Sequence, residues 1–577
     1  MKFSGSIDFS PKIVSSLRHY SAARFKSDLI AGVVVGIVAL PLAIAFGIAS
    51  GVSPTVGLTT AIIGGFIVSA LGGNSVQIGG PTGAFIIIVY SIIQQYGLEG
   101  LGVATFMAGA MLVGMGLFHL GTVIKFIPYP IVVGFTAGIA LTIFSTQIND
   151  FLGLGLTDVP GAFISKWGVY LEHLGDISWS TLAVGAVSLA IIVLTPRISK
   201  RLPGALMAIV LVTAGVALLH SLFPEFAVET IGDRFGDMET DLPAPHTFVW
   251  DMEVINNLMP WAFTIAVLAA IESLLSATVA DGVTGSHTNS NTELIGQGAA
   301  NMVVPFFGGI PVTGAIARTM TNISNGGRTP VAGVIHAAVL LLIFLFAMPL
   351  INHVPMACLA AVLIVVAYNM SGWRTLVAIF HTHRSDISVL LVTFFLTVVF
   401  DLTIAIEFGL LLAIILFLRR VTQNTQIKVY SDRLDVADGT DLSQHEVLDV
   451  ARGVSVYEID GPFFFGVATK FDEVMRTTTG NLKPKVRIIR MRKVSFIDAT
   501  GLHNLEILIK SSQREGIHVV LSGVNDGVRH SLEQAGIDTL IGKDKVCDHI
   551  TKAVAMANGI VAEIAEHEKK HKKTEGD

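Results

Sequence analysis

Two short segments of the sequence carry residue types that bind anions through the main chain. The run Gly-Gly-Pro-Thr-Gly-Ala at 79–84 recurs, with two single-residue insertions, as Gly-Gly-Ile-Pro-Val-Thr-Gly-Ala at 308–315. Glycine permits a break in a helix and proline favours the first helical turn. Each segment therefore predicts a short helix that begins at its proline, Pro81 or Pro311.

The start of such a helix is a binding site for negative charge. Its first N–H groups have no partner within the helix, and the end carries roughly half an elementary positive charge. Thr82 and Thr313 add a hydroxyl donor beside each end. The alternative is that both segments are tight turns between closely packed helices. Their matched position and spacing favour a shared anion site.

Three polar residues in apolar surroundings extend this site. Arg318 lies just inside the second short helix, where it either attracts the anion or extends to the membrane interface. Glu272 and Ser276 are four residues apart and share one helix face. The carboxylate of Glu272 either pairs with a cation such as Arg318, binds sodium together with Ser276, or takes up a proton. A static ion pair is the structural alternative, and a role in coupling is favoured because transporters place ionisable groups on their pathways.

The elements that must position these residues are membrane-spanning helices. The chain has 577 residues, of which 52% are apolar and 14% charged, and its mean hydropathy is +0.67. Most of it is therefore expected in a bilayer, where a span needs about 20 apolar residues. That length predicts about fourteen spans. They are 28–50, 55–72, 82–97, 100–121, 127–149, 180–196, 203–223, 256–280, 292–308, 313–324, 329–351, 354–370, 385–401 and 403–419.

The two motifs fall at the third and tenth predicted spans, which are too short to cross a bilayer alone. Spans seven apart have opposite orientation, and inverted repeats of this kind bring two half-helices together near the bilayer midplane. Clusters of lysine and arginine fall on one face when fourteen spans alternate. The positive-inside rule then predicts that both termini are cytoplasmic.

The polar part of the chain predicts a separate soluble domain. Segments 454–459, 486–491 and 517–521 read as strands separated by helices, which indicates a small α/β domain with a mainly parallel sheet. Asp498 is expected to cap the helix that follows it, and Thr500 is a weaker candidate for phosphorylation or ligand binding. The predicted boundaries are a cytoplasmic segment 1–27, a transmembrane domain 28–421, a linker 422–452, the α/β domain 453–556 and a charged, disordered tail 557–577.

Other classes of function find little support in the sequence. A G-x-x-x-x-G-K loop is absent, which argues against ATP-driven pumping. Serine, histidine and aspartate do not cluster with catalytic spacing, so an enzyme is not expected. We also expect no cofactor, no metal site and no nucleic-acid partner. An anion channel, or a sensor whose soluble domain reports ligand occupancy, is the alternative from a different class.

Several motifs together resemble the sulfate permease family, also called solute carrier family 26. They are Ala-Leu-Pro-Leu-Ala at 39–43, Gly-Pro-Thr at 80–82, Ala-Ile-Glu-Ser-Leu at 270–274 and Gly-Gly-Ile-Pro at 308–311, followed by Arg318. The segments 461–465 and 496–501 resemble the STAS domain of these transporters. The likeness covers about residues 20–555, nearly the whole chain.

This resemblance implies a polytopic α-helical membrane protein built as a seven-plus-seven inverted repeat, with a core domain that moves past a gate domain, as a homodimer. It implies that the anion lies between the starts of spans three and ten. The residues placed near it are Thr82, Gly83, Ala84, Thr313, Gly314, Ala315, Ile316, Ala317 and Arg318. Proton-coupled members have glutamate and arginine at positions 272 and 318. Sodium-coupled bicarbonate members have aspartate and threonine at 272 and 276, so the resemblance favours a co-transported proton over sodium.

The substrate stays open at this point among sulfate, bicarbonate and C4-dicarboxylates, because all present oxyanions to the same amides. The stretch 269–301 is similar to bacterial C4-dicarboxylate permeases, and sulfate and bicarbonate members share much of it. The resemblance implies a bacterial plasma membrane. Related soluble proteins carry a phosphorylatable serine where this chain has Thr500.

Overall fold

The structure is a computed structural model in which two units are described. It describes residues 9–18, 20–122, 128–157, 159–198, 203–223, 226–236, 244–400, 402–430, 433–436, 446–467, 470–471, 474 and 483–574. The chain divides into Met1–Ala413 and Ile414–Asp577. Some of the lysines and arginines on which the predicted orientation rests, including Lys125, lie outside the described residues.

The first unit is helical. Its elements are α1 Lys12–Leu17, α2 Ala22–Ala49, α3 Pro54–Leu71, α4 Ile86–Leu117, α5 Tyr129–Thr146, α6 Ile148–Leu152, α7 Phe163–Glu172, α8 Trp179–Ile198, α9 Gly204–Leu222, α10 Ile231–Phe235, α11 Met252–Thr284, α12 Ser290–Val303, α13 Ile316–Ser324, α14 Val331–Ile351, α15 Met356–Met370, α16 Trp373–Ile379, α17 Arg384–Val399 and α18 Leu402–Asn424. Within the described residues, nine helical segments are long and apolar enough to cross a membrane. The helical membrane architecture is confirmed, and the count of fourteen spans stays a prediction.

One of these segments joins two predicted spans. Gly83–Leu117 is continuous, with a break at Gly97, whose φ is 68°. Only glycine adopts this left-handed conformation at little cost, so the predicted boundary between the third and fourth spans falls on the residue that kinks the helix.

Small residues let these helices approach closely. A methyl group built on Gly298 of α12 would lie 2.6 Å from the carbonyl oxygen of Gly109 in α4. Likewise, a methyl on Gly57 of α3 would lie 2.1 Å from the carbonyl oxygen of Ala43 in α2. Backbone contact of this kind replaces the hydrophobic driving force that lipid does not supply.

The two motif segments form strands before their helices begin. Gly79–Gly80 (β1) pairs antiparallel with Thr313–Gly314 (β2), with Gly79 opposite Gly314 and Gly80 opposite Thr313. The prediction that each helix begins at its proline is therefore wrong. The first helical turn begins at Gly83, as a 3₁₀ turn that leads into α4, and α13 begins at Ile316. In the ladder, backbone N–H and C=O groups of each motif segment are paired with the other segment instead of within a helix.

The second unit is an α/β domain. Its sheet has the order β3-β6-β7-β8-β9, in which only β3 is antiparallel to its neighbour. The elements are β3 Gln426–Tyr430, β4 Arg433–Val436, β5 Glu446–Asp449, β6 Val454–Asp460, β7 Val486–Lys493, α19 Ala499–Arg514, β8 His518–Ser522, α20 Asp526–Gln534, α21 Ile537–Ile541, β9 Val546–Cys547 and α22 Ile550–Thr574. The three predicted strands are β6, β7 and β8.

Two predicted boundaries of this domain differ from the structure. The predicted linker 422–452 contains β3, which is an edge strand of the sheet, and the hairpin of β4 and β5. The predicted disordered tail, 557–577, is helical as far as Thr574. Ala557 is buried in the apolar cluster on the sheet, and Ile560 and Val561 pack against that cluster, so hydrophobic burial extends the helix beyond residue 556.

Candidate anion-binding site

The ladder between β1 and β2 brings the two predicted half-helices together. The amide of Ala315 donates to the carbonyl oxygen of Ile78 at 2.9 Å, which extends the pairing by one residue. Thr82, at the start of the first helical segment, and Ala315, at the start of α13, both have extended backbone conformations. Two helix starts that are distant in sequence therefore emerge from one shared element.

Each helix start has backbone amides that come before the first hydrogen bond of the helix. In the first segment that bond runs from Phe85 N to the oxygen of Thr82 at 3.3 Å, which leaves the amides of Gly83 and Ala84 before it. In α13 it runs from Thr319 N to the oxygen of Ala315 at 2.9 Å. The amides of Ile316 and Ala317 come before that bond, and both residues are exposed, whereas Gly83 and Ala84 are buried. Such groups bind anions.

Glu272 is linked directly to the first helix start. The hydroxyl of Thr82 donates to its Oε2 at 2.9 Å, and both side chains are half-buried. Glu272 belongs to α11, where its neighbour Ser273 accepts a hydrogen bond from Gly314 N at 3.1 Å. One turn of α11 therefore contacts both motif segments.

Arg318 connects the second helix to the segment before the first. Its Nη1 donates to the oxygen of Gly79 at 3.4 Å, and its Nη2 donates to the oxygen of Pro81. Only 2% of its surface is exposed, so the side chain does not extend to the surface as the anchoring alternative required. In the described part of the chain no hydrogen bond or ion pair joins it to Glu272. The guanidinium therefore holds the two motifs together while leaving positive charge at the site.

Two predicted site residues have hydroxyls that are bonded within the protein. Thr313 is fully buried, and its hydroxyl donates to the oxygen of Ala269 at 3.0 Å and lies 2.7 Å from the Ser273 hydroxyl. Ser276 is also buried, and its hydroxyl donates to Thr319 at 3.3 Å. These bonds attach the second motif to α11, so both residues support the site rather than line its exposed side.

Other polar residues support the two motif segments through hydrogen bonds. The Asn301 side chain accepts from Val312 N and donates to its oxygen, each at 2.8 Å, and so substitutes for a backbone partner. Glu293 is fully buried and accepts hydrogen bonds from the amides of Gly73 and Asn74 and from the side chains of Gln77 and Gln297. A polar side chain in an apolar span is expected to find hydrogen-bond partners within the protein. The sequence does not indicate which residues those partners are.

The predicted regulatory residue lies in the soluble domain. Asp498 caps α19, since its Oδ1 accepts from Gly501 N at 2.7 Å and its Oδ2 accepts from Phe465 N at 3.1 Å. Thr500 lies in the first turn of that helix and is exposed. Its modification stays a prediction. Within the described residues, no group of histidine, cysteine, aspartate and glutamate has the arrangement of a metal site.

The architecture is that of a membrane transporter. It combines many apolar helices, two helix starts joined by one strand ladder, and a C-terminal α/β domain. The murine Solute Carrier 26 family member A9 anion transporter, in its inward-facing state, has the same fold, with a TM-score of 0.84 at 18% identity over 97% of this chain and 96% of that one. The transmembrane domain of a cyanobacterial bicarbonate transporter, BicA, matches with a TM-score of 0.61 at 30% identity over 67% of this chain and 98% of that one.

Sequence comparison gives the family. Residues 25–393 match the sulfate permease family and residues 447–553 match the STAS domain, so the chain belongs to the sulfate permease family. It is 41% identical to the Bacillus subtilis protein named "Putative sulfate transporter YvdB", over 92% of this chain and 97% of the relative. It is 29% identical to the bicarbonate transporter BicA of Synechocystis, over 92% of this chain and 93% of that relative. The protein is an integral membrane anion transporter and not an enzyme.

Proposed function

We propose that this protein is a proton-coupled secondary active transporter of a small oxyanion, with sulfate as the first candidate. The observation that carries the proposal is the hydrogen bond from Thr82 to Glu272, because it joins a helix start that suits an anion to a group that can take up a proton. The names of relatives such as YvdB support sulfate as the substrate.

In this proposal the anion binds to main-chain donors from both helix starts. The amides of Gly83 and Ala84 serve it from one side and those of Ile316 and Ala317 from the other. Arg318 contributes positive charge without leaving its bonds to the carbonyl oxygens of the first motif. Such a site selects by charge and by hydrogen-bond acceptors, and it binds a dianion without placing a lysine in the membrane.

Coupling follows from the charge on Glu272. When the carboxylate is ionised it repels an anion at the neighbouring helix start, and when it takes up a proton that repulsion disappears. Anion and proton then favour each other's binding, which is the reciprocal linkage that symport requires. Sodium coupling is less favoured, because the family resemblance gives aspartate and threonine to sodium-coupled members where this chain has Glu272 and Ser276.

Alternating access is proposed to follow an elevator-type movement of a core domain past a gate domain in a homodimer. This part of the proposal rests on the family resemblance and on the fold shared with the solute carrier family 26 structure. The ladder of β1 and β2 suits it, because a site whose two halves are hydrogen-bonded to each other moves as one piece. A bacterial inner-membrane location with both termini in the cytoplasm belongs to the same proposal.

Bicarbonate is the second candidate substrate. The supporting observation is the 30% identity between this chain and the BicA transmembrane domain, which extends over 98% of that domain. A C4-dicarboxylate is a further candidate from the stretch 269–301. All three present carboxylate or sulfate oxygens to the same amides, so only transport data can separate them.

The test is uptake by the purified protein in proteoliposomes. Labelled sulfate, bicarbonate and a C4-dicarboxylate are offered separately, with the proton gradient and the sodium gradient imposed one at a time. We expect concentrative uptake of one anion, driven by the proton gradient alone. In Glu272→Gln this drive is expected to be lost, whereas Glu407→Gln, which changes an exposed carboxylate of α18, should retain it.

Two outcomes would overturn the proposal. Unchanged proton-driven accumulation in Glu272→Gln would remove Glu272 from the coupling step. Single-channel currents without any concentrative uptake would instead indicate the alternative class, an anion channel.

A further inference from the structure

The soluble domain contains a small cleft where three parallel strands end. It has a volume of about 210 Å³ and lies at the carboxyl ends of β7, β8 and β9, next to the start of α22. Its lining includes Arg490, Arg492, Ser522, Asp548, His549 and Ile550. The carboxyl edge of a parallel sheet is the usual ligand-binding edge of α/β domains.

The floor of the cleft holds a serine without a hydrogen-bond partner. Ser522 is fully buried, and its Oγ makes no hydrogen bond within the described part of the chain. A buried hydroxyl left in this state costs free energy, and such groups are rare in folded proteins. Ser522 lies directly opposite Arg490 in the pairing of β8 with β7, so their side chains project from the same face of the sheet, and both line the cleft.

The charge around the cleft suits an anion. Arg490 is almost fully buried, and its Nη1 lies 3.6 Å from Glu458. That carboxylate also has Tyr430 and Lys493 as partners, at 3.2 and 3.7 Å. Arg492 and His549 line the exposed rim.

The one carboxylate that lines the cleft is neutralised, because Asp548 accepts from Arg529. The start of the 25-residue helix α22 faces the same space and adds the partial positive charge of a helix N-terminus. Arginine, a helix start and a hydroxyl donor together match the acceptor oxygens of an oxyanion.

We propose that this cleft is a binding site for a tetrahedral oxyanion, either a free inorganic ion or the phosphate group of a phosphomonoester. The Ser522 hydroxyl donates to one oxygen, the guanidinium groups of Arg490 and Arg492 to others, and the amide of Ile550, the first residue of α22, to the remaining side. The next amide, that of Thr551, donates to Nδ1 of His549 at 3.4 Å and stays within the protein. The cleft admits an ion of this size with little room for a large organic group. The site is separate from the membrane site and does not depend on how transport is coupled.

Hydrogen–deuterium exchange of the full-length protein in detergent tests the proposal, because it locates binding on the chain and separates this cleft from the membrane site. Inorganic phosphate, sulfate and glycerol 3-phosphate are added in turn at millimolar concentration. We expect a several-fold slowing of exchange in peptides that cover 520–527 and 547–553. An effect with all three ions assigns the site to the oxyanion group itself, and an effect with glycerol 3-phosphate alone assigns it to organic phosphates.

Two variants test the named residues without disturbing the fold. Ser522→Ala removes a hydroxyl that bonds to none of the described residues, and Arg492→Gln changes an exposed side chain, so both should fold. Each is expected to abolish the slowing, whereas Arg514→Gln, which changes an exposed arginine in the last turn of α19, should preserve it. Absence of slowing with every ion in the wild type, or its persistence in Ser522→Ala and Arg492→Gln, would overturn the proposal.

Discussion

Replacing Glu272 by glutamine should make anion binding insensitive to pH. An anion held by the Gly83 amide would lie about 3 Å from that nitrogen. Thr82 precedes Gly83, and its hydroxyl lies 2.9 Å from the Glu272 carboxylate, so we take the separation of the two charges as roughly 6 Å. At an effective dielectric constant of about 20, unit charges at this distance repel by about 3 kcal/mol.

That repulsion corresponds to about a 100-fold difference in affinity between the ionised and the protonated carboxyl, for each unit of anion charge. Wild-type affinity should therefore fall as the pH rises. Glu272→Gln carries no charge at any pH, so its affinity should stay at the level of the protonated wild type. It should also lose proton-driven accumulation, since it has no group left to carry the proton.

Equilibrium binding of labelled sulfate to the purified protein, measured across a series of pH values, tests this reasoning. Glu407→Gln, on α18, is the matched control and should reproduce the wild-type slope. A Glu272→Gln protein that keeps the wild-type pH dependence would show that another group titrates. One that binds weakly at every pH would show that the Glu272 carboxyl group supports the site through its bond to Thr82 rather than by controlling the charge, and either result refutes the electrostatic argument.

Three further predictions concern contacts of the described residues. In Gly314→Ala the added methyl group would lie 1.9 Å from Nε2 of Gln77. We therefore expect the protein to lose about 1–3 kcal/mol of stability and to take up anion more slowly. An unchanged melting temperature in detergent would contradict this contact. Asp498→Ala removes the acceptor for the amide of Gly501, in the first turn of α19, and for the amide of Phe465, and it should cost about 0.5–2 kcal/mol. We expect faster amide exchange in 499–505, and unchanged exchange there would count against the cap. Hydrogen bonds from the amide and hydroxyl of Thr230 lower the pKa of Asp233, so its contribution to stability is present at neutral pH and is lost as the pH falls through that lowered pKa. The melting temperature of Asp233→Asn should therefore be lower than that of the wild type at neutral pH and approach it in acid, and a gap that persists in acid would contradict this sign.

Much of the membrane fold follows from the apolar pattern, because length and composition decide whether a segment can cross a bilayer. The long helices fall where the pattern places them, and the kink at Gly97 marks a predicted boundary between two spans. The amphipathic segment Phe163–Glu172 was missed, because it is too short and too polar to resemble a span. The soluble domain was predicted from its three alternating strands, while β3 was missed because its exposed edge position gives a weak pattern.

The candidate site was predicted in its residues more than in its contacts. The proline and glycine motifs indicate two helix starts, but nothing local indicates that 79–80 and 313–314 pair as strands, since such pairing depends on tertiary contact. For the same reason the bonds of Arg318 could not be predicted. An ion pair with Glu272 was only one alternative from the sequence, and in the structure the guanidinium donates to the carbonyl oxygens of Gly79 and Pro81, which every residue type presents alike.

The ladder between β1 and β2 also limits how the protein can be re-engineered. Residues 79–84 and 308–318 meet through paired amides, and Arg318 of one segment bonds to carbonyl oxygens of the other. A chimera that imports only one segment from a relative with different selectivity combines two halves that were never fitted to each other. The smallest exchangeable unit is therefore both segments together with the turn of α11 that carries Glu272 and Ser273.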